Sequence, residues 1–152
     1  MKFNTKLLHG KAGRNTPDGA TLPGISQVSA FSYDSAEHLE KVFGNKSPGF
    51  AYTRIGNPTV AAFEQRINEV EGGTGAVACA SGMAAITVAL LNVLSAGDEI
   101  IAGSGLFGGT IDLFKDLEAF GITTHFIPHI TVEDIKPVLN QNIKAVFGEI
   151  IG

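Results

Sequence analysis

Residues 75–103 read GAVACASGMAAITVALLNVLSAGDEIIAG, and their order decides the fold. The small apolar run 76–80 reads as a short buried strand. Ser81-Gly82-Met83 then opens an apolar segment of helical length, 82–94, and residues 99–102 are apolar again. Strand, helix, strand in that order is the repeating unit of a parallel α/β sheet. Downstream the same alternation predicts a helix over 110–120 stopped by Gly121, a strand over 122–127, a helix over 132–139 and a strand over 145–150. The expected fold class is therefore α/β, a mostly parallel sheet covered by helices on both faces. No internal repeat or low-complexity tract interrupts it.

Upstream the text is less regular. Gly10, Gly13, Pro17, Gly19, Pro23 and Gly24 punctuate residues 1–33, which read as a loop or extended arm. Irregular stretches of that length commonly bind something. Asp34 or Ser35 can cap a short helix carrying Ala36, Leu39, Val42 and Phe43 and ending at Gly44. Residues 44–58 are irregular again. A helix over 58–71 follows, with Val60, Phe63, Ile67 and Val70 on one face and Gly72-Gly73 as its stop. The organisation this implies is an arm with a short helix over 1–57 and an α/β domain from 58 to 152.

Composition narrows the function. Of 152 residues, 44% are hydrophobic and 17% charged, so a sizeable core is possible and the composition argues against intrinsic disorder. The formal net charge of −4, with no basic run, argues against nucleic acid or an anionic membrane surface as partner. A single cysteine, Cys79, excludes an internal disulfide and suits a reducing compartment. No signal-like or membrane-spanning run is visible, and the expected location is the cytoplasm.

Three features could carry chemistry. At Ser81-Gly82-Met83 a helix opens after a strand, so free N–H groups lie at the positive end of the helix dipole and Gly82 removes a side chain that would block approach. Such a junction suits a phosphate; it is also what an ordinary βα turn with a Ser cap looks like. Tyr52 and Arg54, two residues apart in a stretch read as extended, project to the same side, and both can donate to phosphate oxygens. A surface Arg beside a half-buried Tyr would read the same. Gly103-Ser104-Gly105-Leu106-Phe107-Gly108 fits a dinucleotide fingerprint, but the next strand lacks the expected acid until Glu133. A Gly-rich turn presenting Phe107 to a flat ligand is the better reading of that segment.

Other residues say less. Cys79 reads as an inert core thiol. His125 and His129 are separated by Pro128, which argues against a metal pair, and His9 and His38 read as exposed and unpartnered. Glu149 ends the last strand, where open α/β sheets place ligand contacts.

Taken together, Tyr52-Thr53-Arg54-Ile55-Gly56-Asn57-Pro58-Thr59, Glu71-Gly72-Gly73, Ala80-Ser81-Gly82-Met83-Ala84-Ala85 and Phe107-Gly108-Gly109-Thr110 occur in an order and spacing that resemble the Cys/Met-metabolism family of pyridoxal-phosphate enzymes. The likeness runs from Asn4 to Gly152. It implies the N-terminal part of an aspartate-aminotransferase-like (fold type I) domain, with pyridoxal 5'-phosphate as cofactor. By this resemblance Ser81, Gly82 and Met83 receive the cofactor phosphate, and Tyr52 and Arg54 reach the phosphate of a neighbouring subunit. Phe107 stands where the family usually has a Tyr stacked over the pyridine ring, and lacks its hydroxyl. Glu149 begins the family's E-x-x-x-N-P stretch, which approaches the cofactor.

Within the family, Gly19-Ala20-Thr21-Leu22-Pro23 and Phe50-Ala51-Tyr52-Thr53-Arg54 look most like O-acetylhomoserine sulfhydrylases. That likeness implies an amino-acid substrate, O-acetylhomoserine, with sulfide, in a homodimer or homotetramer. Methionine or cystathionine γ-lyase and cystathionine γ-synthase are the alternatives inside the family; a dinucleotide-binding Rossmann domain is the alternative outside it. No lysine of the chain stands in a context resembling the cofactor lysine. The expectation is an N-terminal piece of a longer enzyme, inactive and poorly stable alone.

Overall fold

A computed structural model describes residues 2–10 and 19–151, so Lys11, Gly13 and Pro17 lie outside the described residues. The chain forms two compact units, Met1–Ala78 and Cys79–Gly152.

In the first unit the arm is not wholly irregular. Phe3–His9 is a helix, α1, that the sequence reading missed. Seven residues are too few to reveal a period or to sustain a helix alone. It forms because it packs on a later helix, whose Arg66 donates from Nη1 to the carbonyls of Lys6 at 2.8 Å and Leu7 at 2.9 Å. Helix α2, Ala36–Phe43, begins where Ser35 accepts the N–H of His38 and ends at Gly44, as expected. His38 is not unpartnered: its ring meets the edge of Tyr33 at 4.6 Å. Helix α3, Pro58–Glu71, has the expected bounds, with Asn57 as cap, Pro58 in the first turn and Gly72 left-handed at φ 68°. Its apolar face is nevertheless exposed at Val60, Phe63 and Ile67 among the described residues.

The second unit holds the sheet. Helix α4, Gly82–Leu91, leads to β1, Glu99–Gly103; α5, Gly108–Leu117, and a 3-10 turn, Glu118–Phe120, lead to β2, Thr123–Ile127; α6, Val132–Ile135, leads to β3, Ile143–Phe147. All three strands are parallel and lie in the order β2-β1-β3. The central strand is the buried one. Ile100, Ala102, Phe114, Leu117 and Ile122 form the core with Leu90, Leu94 and Leu106, and Phe114 stands edge-on to Phe147 at 5.2 Å.

Three expectations need correction here. Residues 76–80 form no strand: they join no ladder, and Ala78 N–H instead reaches the Glu64 carboxylate at 2.7 Å. A short apolar run does not say whether a partner strand lies beside it. Cys79, accordingly, is half-buried rather than sealed in a strand. The last strand runs Ile143–Phe147, not 145–150, because it pairs with β1 from Glu99 across a one-residue register shift. Edge strands β2 and β3 are also only partly covered; Phe126 and Val146 are exposed.

The strand order positions the site. The chain steps from β1 to β2 on one side, then returns to place β3 on the other. The crevice outside the carboxyl ends of β1 and β3 is thus the topological switch point, where open α/β sheets bind ligands.

Candidate functional site

Phe107 and Glu149, which follow β1 and β3, meet at that switch point. Glu149 accepts the backbone N–H of Phe107 on Oε2 at 2.8 Å and the hydroxyl of Thr110 on Oε1 at 2.7 Å. These donors, the Phe107 amide foremost, hold its carboxyl below the ordinary carboxylate range. Thr110 is fully buried, whereas the Phe107 side of the turn is open, with the residue 64% exposed. Sequence reasoning quoted Thr110 within a motif and gave it no task. Its small polar side chain beside Gly108-Gly109 was the available signal.

Helix α4 starts close by. A Cβ built on Gly109, in the first turn of α5, would lie 3.8 Å from the sulfur of Met83. Ser81 caps α4, its Oγ accepting Ala84 N–H at 3.1 Å. Ala85 N–H bonds to the Ser81 carbonyl, while the N–H groups of Gly82 and Met83 meet no acceptor among the described residues. A Cβ on Gly82 would find nothing within 4 Å. Two free amides at a positive helix end, behind a glycine that packing does not require, fit a phosphate-bearing cofactor.

Tyr52 and Arg54 belong to the first unit. Their stretch is extended only as far as Tyr52, which bridges Ala30 in antiparallel sense; the Tyr52 carbonyl accepts from Ile55 N–H at 2.9 Å and Gly56 N–H at 3.0 Å, so the backbone turns after it. Gly56-Asn57-Pro58 forces that turn into the cap of α3. The two side chains still come together, with the Arg54 guanidinium 5.2 Å from the Tyr52 ring centroid. Neither the Tyr52 hydroxyl nor the Arg54 guanidinium has a hydrogen-bond or ion-pair partner among the described residues.

Around them, the same motif contains a clasp that sequence reasoning missed. Asn57, 4% exposed, donates to Ser26 O at 3.1 Å and Thr53 Oγ1 at 3.0 Å while accepting Thr59 N–H at 2.9 Å. Thr59 accepts Ser26 N–H at 2.8 Å, and Thr53 donates to Val28 O. Thr53, Asn57 and Thr59 therefore tie residues 26–28 to the start of α3, leaving Tyr52 and Arg54 free for another task.

At the opposite, amino end of the strands, Glu99 gathers donors. Asn140 at 2.8 Å, His125 at 2.5 Å and Asn142 at 3.2 Å all approach its carboxylate. Hydrogen bonds from Asn140 first, then His125 and Asn142, hold its carboxyl at about 2. This contact fastens the three strands at the end away from the switch point. His125 is thereby a strand tie, and no metal-holding cluster occurs among the described residues.

A sheet with its ligand crevice at a switch point, a free helix start and an aromatic turn define a cofactor-binding α/β domain. The crystal structure of a Campylobacter jejuni protein described as an O-acetylhomoserine (thiol)-lyase, carrying N'-pyridoxyl-lysine-5'-monophosphate, matches 97% of this chain and 36% of its own, with TM-score 0.87 and 32% identity. Cystathionine γ-lyase from Lactobacillus plantarum, complexed with L-serine, matches 97% of this chain and 36% of its own at TM-score 0.84 and 33% identity. The fold is that of the aspartate-aminotransferase-like, fold type I pyridoxal-phosphate enzymes.

The sequence profile of the Cys/Met metabolism PLP-dependent enzymes matches residues 4–152, and the chain belongs to that family. Homocysteine synthase of Schizosaccharomyces pombe is 39% identical over 155 residues, covering 99% of this chain and 35% of that protein. O-acetyl-L-homoserine sulfhydrylase of Corynebacterium glutamicum is 40% identical over 149 residues, covering 97% and 34%. The chain thus spans about a third of the length of these relatives.

Proposed function

We propose that this chain serves the pyridoxal-phosphate-dependent sulfhydrylation of O-acetylhomoserine, yielding homocysteine and acetate, as part of a longer cytoplasmic enzyme that works as a homodimer or homotetramer. The pair of free amides at Gly82 and Met83, behind an open Gly82, carries the cofactor part of the reading. The two relatives above carry the choice of reaction. In this reading residues 1–57 form the arm that meets another subunit and 58–152 open the cofactor domain.

Each residue has a task. Gly82 and Met83 donate to the cofactor phosphate, and Ser81 holds the first turn of α4 in place to present them. Tyr52 and Arg54 add two donors to a phosphate in the neighbouring subunit; their unpartnered polar ends support this. Phe107 covers one face of the pyridine ring and keeps water from it. With no hydroxyl there, acid–base work at that position falls to another group. The cofactor, when bound, supplies an electron sink for charge developing on the substrate carbons. Lys41, Lys115 and Lys144 are engaged at the surface with Glu37, Asp112 and the Gln141 carbonyl and are given no part in holding the cofactor.

The deciding experiment offers the cofactor-loaded holoenzyme O-acetylhomoserine with sulfide, and separately methionine or cystathionine alone. Homocysteine and acetate from the first mixture are expected. Exclusive release of 2-oxobutanoate from methionine or cystathionine would move the assignment to a γ-lyase.

A further inference from the structure

We propose that Glu149 is a positioning residue that acts through Phe107: its carboxylate, seated at the start of α5, fixes the turn that presents the Phe107 ring to the cofactor. The inference rests on the reading that this ring stacks on the pyridine. Glu149 engages both of its oxygens with protein donors, Oε2 with Phe107 N–H and Oε1 with the Thr110 hydroxyl. One donor is pinned in the core and the other belongs to the exposed turn. Glu149 therefore joins the buried Thr110 hydroxyl to the Phe107 N–H, the one backbone polar group of Phe107 that α5 does not itself engage.

The surroundings of the ring agree. Phe107 is the N-cap of α5, and no side chain of its own caps the helix. A Cβ on Gly109 would lie 2.8 Å from Phe107 Cε1 and 3.3 Å from Cδ1. The ring thus lies back across the first turn of α5, in a place that only glycine at 109 leaves open. The α5 side of the turn is held by the Phe107 carbonyl, which accepts Thr110 N–H at 2.9 Å and Ile111 N–H at 3.1 Å; on the other side the Phe107 N–H is held by Glu149, and the ring itself lies outside the core.

A second consequence concerns charge. The starts of α4 and α5 are each a positive pole, and the Met83 side chain of α4 reaches the first turn of α5. The α5 pole already carries the Glu149 carboxylate, which its donors keep ionised. An incoming phosphate is repelled there and directed to the free amides of α4.

The test is a double-mutant cycle in the holoenzyme with pyridoxal phosphate as the probe, read by equilibrium binding and by the circular dichroism of the cofactor's visible band. Phe107→Ala is expected to weaken binding about threefold to tenfold. Glu149→Ala should weaken it by a similar factor and change the visible band. The double variant should bind no worse than the weaker single one, because both changes remove one contact. Losses that add would overturn the proposal, since Glu149 would then touch the cofactor itself. Glu149→Ala binding like the unaltered enzyme while Phe107→Ala is weakened would also overturn it. Should Phe107→Ala bind normally, the stacking reading itself falls, a distinct result. If Glu149→Ala does not fold, Thr110→Val takes its place in the same cycle. Amide exchange at Phe107 in the cofactor-free enzyme gives an independent readout: at least about tenfold faster exchange in the substituted protein is expected, and unchanged exchange contradicts the clamp.

Discussion

Substitution of Gly82 by Ala separates folding from cofactor binding in opposite directions. A Cβ at this position finds nothing within 4 Å, so it brings no clash. Gly82 is the first residue of α4 and has no left-handed backbone to lose. Replacing glycine by alanine in a helix is worth about 0.5–1 kcal/mol through the lost freedom of the unfolded chain, and less at a helix end. The cofactor-free protein should therefore be unchanged or stabilised by up to about 1 kcal/mol. Binding should respond the other way. A methyl group in front of two amides prevents close approach of a phosphate, and each charge-assisted hydrogen bond lost costs about 1.5–3 kcal/mol. Losing one such bond raises the dissociation constant of pyridoxal phosphate at least about tenfold. Urea unfolding of the cofactor-free form and a cofactor titration measure the two effects side by side. A dissociation constant within threefold of the unaltered enzyme (about 0.6 kcal/mol) would refute the close approach at Gly82. A loss of more than about 1 kcal/mol in stability would show that the space is not open.

Three further outcomes are expected. Glu99 is held at about 2 against an ordinary 4.5, so its contribution to stability is complete above about pH 4.5 and fades as the pH falls towards 2; Glu99→Gln should flatten acid unfolding in that window, and an unchanged pH profile would contradict the strand tie. Phe114 is fully buried against Phe147, and Phe114→Ala should cost about 3–5 kcal/mol in denaturant unfolding; a cost under about 1 kcal/mol would mean the core is not centred there. Residues 1–152 incubated with pyridoxal phosphate and treated with borohydride should show no single lysine labelled stoichiometrically, whereas one such site together with turnover of O-acetylhomoserine and sulfide would place the cofactor lysine within the chain.

The long elements were legible because each carries its own stop signals: Asn57-Pro58 and Gly72 bound α3, Ser35 and Gly44 bound α2, Ser81 opens α4. The α/β class followed from their alternation with apolar runs. Pairing was not legible. Residues 76–80 look like a strand yet join no ladder, and nothing local reports that β3 pairs with β1 on the side away from β2. Helix α1 escaped for the same reason, since Arg66 caps it from about sixty residues away. At the site, Gly82, Met83 and Phe107 could be singled out because helix starts and Gly-rich turns have a local chemistry. The bridge from Glu149 to Thr110 and Phe107 could not, because it exists only once β3 lies beside β1. Likewise, the roles of Thr53, Asn57 and Thr59 depend on where residues 26–28 pass.

The most direct test of the account is the structure of the holoenzyme with pyridoxal phosphate bound. It should place phosphate oxygens within hydrogen-bond distance of the Gly82 and Met83 amides, with the Phe107 ring parallel to the pyridine and Glu149 still bonded to Phe107 N–H. A phosphate seated at the start of α5, or a cofactor ring away from the carboxyl ends of β1 and β3, would contradict it.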